Sequence, residues 1–444
     1  MPLEYASLFV YLLLWLLIVT TVFLYFGGIS KHLTFLFVMF LALLYDFFTP
    51  LYGLANGWVS LFGNDISDWF AKGIMLSATS LLSIGVTYIF LCSNFVRKVD
   101  VLTKKTTISV YKARIILIVG VSATVTWAAI SGYGVSSLFF IRNISGGAST
   151  GLSWDELNFD RYNYLKQCVE FLIPGLVIAV ASDMKKKELL VWFFIVTLIF
   201  LSFGFRYRLI LVFVAIVILK FYQKGFDLKL VRKIIVYGLI FVTLNIIFGN
   251  VRTYIKAVSR GIEGDMALIE ERQSKSFEES AADNFFKYSR NYLSNMSLLK
   301  YLDQGYAEHD YGESMFYQII VRALPGIIFG GEKPFPKSLE ASKLSWHSIE
   351  GLYAGEAFTY VMDFYFAFGI PGVIIFSSLL SVIIFFFSRD VNSLHKAIFI
   401  SITTASLFHY LTRGFLAGYL MSYLYMMFPL VYIYSKHKSI KLLR

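Results

Sequence analysis

The stretch FYFAFGIPGVIIFSSLLSVIIFFF, Phe364–Phe387, runs without one charged side chain. At 1.5 Å rise per residue a helix of this length covers about 36 Å, enough to cross a hydrocarbon core about 30 Å thick. Working outward from it, the same hydropathy reading predicts further spans near 395–411 and 415–434 downstream. Upstream it predicts spans near 7–27, 33–53, 70–93, 113–131, 164–181, 189–205, 208–222 and 234–249. That makes about eleven transmembrane helices, within a range of roughly 10–12. Hydrophobic residues are 57% of the 444 and charged residues 16%, with a mean hydropathy of +0.66. Soluble domains lie near 45–50% and about 25%. The expected fold class is therefore an all-α, polytopic integral membrane protein.

One long polar stretch, 250–363, interrupts this pattern and divides the chain into three parts. Residues 1–249 carry the first eight or so spans, 250–363 form one large, partly helical loop, and 364–444 carry the last three spans with a basic tail. The first apolar segment lacks a basic leader and a small-residue cleavage site, so it reads as a retained helix. Cys92 and Cys168 fall within or at the ends of spans, which suits neither a disulfide framework nor a zinc site. No 20–50-residue repeat, heptad run or low-complexity tail is evident.

The net charge of +11 is informative by location. Basic clusters occur at Arg97, Lys98, Lys104, Lys105, Lys112 and Arg114; at Lys185, Lys186 and Lys187; at Lys220, Lys224, Lys229, Arg232 and Lys233; and at Lys436, Lys438, Lys441 and Arg444. The positive-inside rule assigns all four to the cytoplasm. The N-terminus is then outside, the C-terminus inside, the number of crossings odd, and the 250–363 loop external. Within that loop, Phe286, Tyr292, Leu293, Met296, Leu299 and Leu302 recur at helical spacing up to Gly305. They predict an amphipathic helix over Asp283–Tyr306 resting on the membrane or the bundle. Phe316 to Phe329 is apolar but short and holds Arg322 and Pro325, so it is expected to dip into the protein without spanning it.

The charged residues of this outer region suit an anionic substrate. Arg206 and Arg208 flank Tyr207 between two apolar spans, where each would either snorkel to lipid phosphates or clamp a substrate phosphate with its planar fork. Arg252 stands past the eighth span, Arg322 in the dipping segment, and Arg413 at the turn before the last span. Five arginines at membrane level match the charge of a bound diphosphate in a partly desolvated site, and three of the five are expected to converge. Arg290, Lys333 and Tyr311 are supporting candidates. For a general base the sequence offers His347, Glu350, Glu356 and His409. Glu356 precedes the ninth span, His347 follows Trp346, and His409 lies one helical turn from Arg413. A packed structural role for His409 and a surface role for His347 are the plain alternatives. Walker, Rossmann, His-Glu-x-x-His and paired Asp-x-Asp patterns are absent, and no basic aromatic patch points to nucleic acid. An enzyme acting outside would need a substrate that is already activated.

Tyr311-Gly-Glu-Ser, Arg322-Ala-Leu-Pro325, Lys333-Pro334, Gly355-Glu356-Ala357 and Phe368-Gly-Ile-Pro-Gly-Val373 together resemble the C-terminal signature of bacterial Wzy-type O-antigen and oligosaccharide repeat-unit polymerases. Arg206-Tyr-Arg208 is similar to that family's arginine-bearing turn, with the flanking glycines replaced. The resemblance covers about Leu189 to Tyr434. It implies a GT-C-like glycosyltransferase of the bacterial inner membrane, with the loop in the periplasm and with no cofactor or metal. Undecaprenyl-diphosphate-linked glycans would be donor and acceptor, membrane lipids would surround the chain, and a chain-length regulator would be a possible partner. By the same resemblance Arg206, Arg208, Arg252, Arg322 and Arg413 would hold the diphosphate, and Glu356 or His347 would take the hydroxyl proton. O-antigen ligases share the plan, and a flippase for the lipid-linked unit is the alternative from another class. The asymmetry of this chain argues against the flippase.

Overall fold

The computed structural model describes residues 2–61, 64–95, 98–99, 108–130, 163–182, 184–202, 206–239, 243, 286, 289–330, 333–345 and 357–439. In chain order its helices are α1 (Leu3–Phe26), α2 (Leu33–Ala55), α3 (Ser67–Asn94), α4 (Val110–Ile130), α5 (Tyr164–Ala181), α6 (Lys186–Ser202) and α7 (Arg206–Lys224). After these come α8 (Asn291–Asp303), α9 (Gln318–Ala323), α10 (Lys337–Ser345), α11 (Tyr360–Ser388), α12 (Leu394–Arg413) and α13 (Leu416–Ser439). Seven of them, α1 to α5, α11 and the first part of α13, are long and apolar enough to cross a membrane. The chain is an all-α membrane protein. Helices α6, α7 and α12 occupy three further expected spans, and the span expected near 234–249 is described only as helix over 228–239. The only strands among the described residues are two-residue pairings, Ser60–Leu61 with Asn64–Asp65 and Lys98–Val99 with Asp390–Val391.

The chain divides into two compact units, and the first comprises residues 1–100, 285–392 and 406–421. Helix α3 is its hub, packed along α1 and α11. Lipid tails are as apolar as leucine, so burial alone gives such helices little reason to associate; close approach and interhelical hydrogen bonds do, at about 0.6 kcal/mol per bond. Both are present. Gly85 admits Ile18, whose Cδ1 lies 2.5 Å from where a Cβ would stand. Ser80 and Ser377 share a hydrogen bond of 2.7 Å, and Ser381 donates to the Ile84 carbonyl at 2.9 Å. The outer face of α1, with Leu3, Leu13, Leu17 and Leu24 exposed, is that of a helix bathed in lipid.

Helix α11 starts at Tyr360, four residues before the expected span. Its entry is fixed by a reciprocal pair: the Thr359 N–H donates to Asn295 Oδ1 at 2.8 Å and Asn295 Nδ2 donates to Thr359 Oγ1 at 2.9 Å. The helix then breaks at Phe368 and Gly369, ahead of Pro371. Gly369 has φ 65° and ψ −152°, a conformation essentially closed to residues with a Cβ.

The helix expected over Asp283–Tyr306 is observed as α8, stopped by Gly305 at φ 77°. It differs from the expected amphipathic platform, because Tyr292 to Leu299 are all buried, polar residues included. Asn295 and Ser297 turn inward because they have partners there. Ser297 donates to the Ser345 carbonyl at 2.8 Å and Asn295 holds Thr359, while Met296 covers Gly73. At its end Asp303 takes hydrogen bonds from Lys72, at 2.5 Å, and from the Trp69 indole, at 3.0 Å.

The second unit comprises residues 101–284, 393–405 and 422–444. Helices α4 and α5 interlock through two glycines: a Cβ at Gly120 would stand 2.7 Å from Leu172, and one at Gly175 2.8 Å from Leu117. Helix α7 packs on α5. Arg114 at the start of α4 grips Glu188 at the start of α6 with two hydrogen bonds of 2.6 and 2.7 Å.

Candidate functional site: a cationic turn

The turn between α12 and α13 runs through Gly414 at φ 54° and Phe415 at φ 53°. A left-handed backbone costs a residue with a side chain about 1–2 kcal/mol, so the surroundings must impose it. Three contacts do so. The Leu416 N–H, at the first turn of α13, donates to Asp363 Oδ2 at 3.1 Å. Asn291 Nδ2 donates to the Thr412 carbonyl. The Phe358 ring lies so close that a Cβ on Gly414 would stand 2.7 Å from it.

This strained turn places the Phe415 ring beneath Arg322, whose guanidinium carbon is 4.4 Å from the ring centroid. Cation–π attraction at a partly desolvated position is worth about 0.5–2 kcal/mol. Arg322 Nε is buried and has no hydrogen-bond partner among the described residues, and none of their carboxylates forms an ion pair with Arg322. Burial pushes its pKa down to about 10. It remains a cation at neutral pH, one that the fold holds at a cost. Lys333 Nζ donates to the Arg322 carbonyl at 3.2 Å, and its own pKa is lowered, first by burial and then by the Arg322 charge. A buried guanidinium whose charge disfavours that of the lysine beside it forms a place where an anion relieves both.

Arg413 and Arg290 join the same turn through the chain. Arg413 directly follows Thr412, is exposed, and lies close enough to Tyr45 to influence it electrostatically. Arg290 directly precedes Asn291, whose side chain holds Thr412. Of the five arginines expected to supply three converging groups, Arg322 and Arg413 come to this turn, with Lys333 bound to the Arg322 carbonyl and Arg290 next to Asn291 along the chain. His409 is half-buried one helical turn before Arg413 on α12.

The stretch after α8 is folded so as to present Arg322. Asp310 caps it, accepting the Gly312 N–H at 3.0 Å and the Ser314 N–H at 2.8 Å. Ser314 Oγ accepts the Ser338 N–H at 2.9 Å, and Gln318 Nε2 donates to the Pro334 carbonyl at 3.0 Å. A Cβ on Gly312 would come within 2.8 Å of the Phe368 ring, which ties this stretch to the break in α11. Tyr311 is 80% exposed, with φ 51°. Glu313 pairs with Lys337 across 2.6 Å at the surface, and this raises the lysine pKa. Ile320 and Ile328 stay exposed, so the segment expected to dip shows an apolar face outward.

Arg208 is placed differently. In the second unit its guanidinium is 6% exposed and pairs with Glu170, which is fully buried. Arg208 Nε donates to Glu170 Oε1 at 2.9 Å, and a second nitrogen reaches the same oxygen. An anion arriving there would meet a neutral pair instead of a free cation. The backbone of Arg206 opens α7, and its side chain lies outside the described residues. Arg252, His347, Glu350 and Glu356 also lie outside them. Phe415, Asn291, Asp363 and Glu170 escaped the sequence reading. The lone carboxylates Glu170 and Asp363 inside apolar spans were the available signal, since a charge at such depth calls for a partner. Among the described residues no three His, Cys, Asp or Glu side chains gather as a metal would require. No family model, curated protein or solved structure matches this chain.

Proposed function

We propose that this chain is a GT-C-like membrane glycosyltransferase that joins lipid-linked oligosaccharide repeat units. The observation that carries the reading is Arg322: a half-buried guanidinium with no carboxylate partner among the described residues, laid on Phe415 with Lys333 against its carbonyl, in a turn whose neighbours along the chain are Arg290 and Arg413. A diphosphate is the anion such a set suits, because its charge exceeds what one arginine neutralises and its oxygens match the guanidinium fork. Arg322 and Lys333 both belong to the runs, from Tyr311 to Val373, that resemble repeat-unit polymerases.

In the proposed reaction the acceptor sugar hydroxyl attacks the anomeric carbon of the donor glycan. The C1–O bond breaks, and its electron pair leaves with undecaprenyl diphosphate. Arg322, Lys333 and Arg413 stabilise the negative charge that develops on the leaving group, the task in which preorganised cations contribute most. The hydroxyl proton passes to Glu356 or His347. The reaction belongs to the periplasmic face of the inner membrane, where no nucleotide activation is at hand and the lipid diphosphate supplies the driving force.

The test is complementation of a host that lacks its own polymerase, read as a glycan ladder on a gel. The chain should convert single-repeat product into a ladder, and Arg322→Ala should return the single-repeat pattern with the protein still in the membrane. Normal ladders from Arg322→Ala remove the clamp. Failure of glycan to reach the outer face without the chain makes it a flippase instead.

A further inference from the structure

A second polar site lies inside the first unit, within the membrane spans and below the foot of the cationic turn. Helix α2 is interrupted by a π-turn, Leu44–Phe48, and Asp46 sits in it with only 5% of its surface exposed. Single π-turns inside helices loosen the regular carbonyl ladder and occur disproportionately at functional positions. Ser77 Oγ of α3 donates to Asp46 Oδ1 at 3.1 Å, and the Tyr11 hydroxyl of α1 reaches Oδ2 at a long 3.5 Å. No described Lys, Arg or His forms an ion pair with Asp46. A carboxylate in such a place must be neutralised by something that enters it.

Beside Asp46 lies a void of about 10 Å³, the room one water or one small ion needs. Asp46, Tyr45, Thr359, Tyr360 and Thr412 contribute the polar part of its wall, and aliphatic side chains of α2 and α12 close the rest. The polar side chains that line it all end in oxygen, the Asp46 carboxylate and the hydroxyls of Tyr45, Thr359, Tyr360 and Thr412, while the hydroxyls of Ser77 and Tyr11 bind the same carboxylate. The titrating groups in its wall are Asp46 and Tyr45 from α2 and Tyr360 from α11; Tyr11 from α1 bonds the Asp46 carboxylate, and Arg413 of α12 lies near enough to Tyr45 to act on it. Asp363 and Tyr410 stand farther toward the cationic turn, and α3 offers only the hydroxyls of Ser77 and Ser80. An all-oxygen shell around one carboxylate is the chemistry of a hard cation.

We propose that Asp46 and this void bind one monovalent cation of sodium's size. A proton would neutralise the carboxylate without needing the void, and potassium would need more room and more ligands. The ion would tie α1, α2, α3 and α11 together at one point. Because Thr412 belongs both to the wall of the void and to the base of the cationic turn, occupancy would also steady the Phe415 platform. The inference stands independently of the proposed reaction.

The experiment is the thermal midpoint of the purified full-length chain in detergent, at constant ionic strength, with sodium chloride titrated against choline or potassium chloride. Sodium should raise the midpoint saturably by about 2–4 °C, and Asp46→Asn should abolish the rise. Should Asp46→Asn fail to fold, Ser77→Ala should need about 3- to 10-fold more sodium for half the effect. Equal midpoints in all three salts overturn the proposal, as does an undiminished sodium response in Asp46→Asn. A midpoint that follows pH alone, with sodium and choline superimposed, assigns the site to a proton and also overturns it.

Discussion

Arg322 lacks a carboxylate partner among the described residues, which makes it a liability to the fold and an asset to binding. Its pKa is pushed below the usual arginine value by burial. For a base whose folded pKa is lowered, the native state is penalised at every pH below about 10, and the penalty fades only as pH climbs toward the unfolded value. Arg322→Met keeps the stem that packs on Phe415 and removes the penalised charge. It should therefore raise the apparent thermal midpoint in detergent by an amount corresponding to roughly 1–2 kcal/mol. Inorganic pyrophosphate should stabilise the parent protein and leave Arg322→Met unmoved. A lower midpoint for Arg322→Met would show that the guanidinium is paired after all, with a group outside the described residues.

At the scale of elements, the break in α11 is the feature that positions the Tyr311–Pro334 stretch. His309 Nε2 lies 3.6 Å from where a Cβ on Gly369 would stand, and the Asp310 N–H donates to the Phe366 carbonyl at 3.2 Å. Gly369→Ala should cost about 1–3 kcal/mol through backbone strain alone, seen as a lower thermal midpoint. Protease should then cut sooner after Gly305, because the following stretch loses its seat on α11. An unchanged midpoint would mean that α11 can straighten without consequence. The glycine was legible in the sequence as part of a Phe-Gly-Ile-Pro-Gly run, and the spans were legible from apolar length. The burial of α8 was not: Ser294, Asn295 and Ser297 look like a solvated face until Thr359 and Ser345 arrive from more than forty residues away to bind Asn295 and Ser297. Nor was Phe415 legible, since local preference steers an aromatic residue away from positive φ and only the contacts of Asp363, Phe358 and Asn291 reverse that. Arg208 was legible as a costly charge, but its partner Glu170 sits thirty-eight positions away in another helix.

For the whole molecule, the decisive question is which side of the membrane holds the cationic turn. The second unit gathers basic segments at one end. Arg114 at the start of α4 binds Glu188 at the start of α6, Lys112 donates to the Ile433 carbonyl near the end of the apolar part of α13, and Lys185 to Lys187 lead into α6. Two of the four basic clusters therefore adjoin one another in space, and a third follows Ile433 along the chain, as cytoplasmic ends under the positive-inside rule would. The N-terminus should then be outside and the C-terminus inside. Alkaline phosphatase, which is active only beyond the inner membrane, should work when fused after Gly305 and fail when fused after Lys187, Lys224 or Arg444. A fluorescent protein that matures only in the cytoplasm should give the complementary pattern. The reverse result would put Arg322 and its neighbours on the side where nucleotide-activated sugars are made, and the proposed transfer between lipid-linked glycans would lose its compartment even if every residue of the turn bound diphosphate.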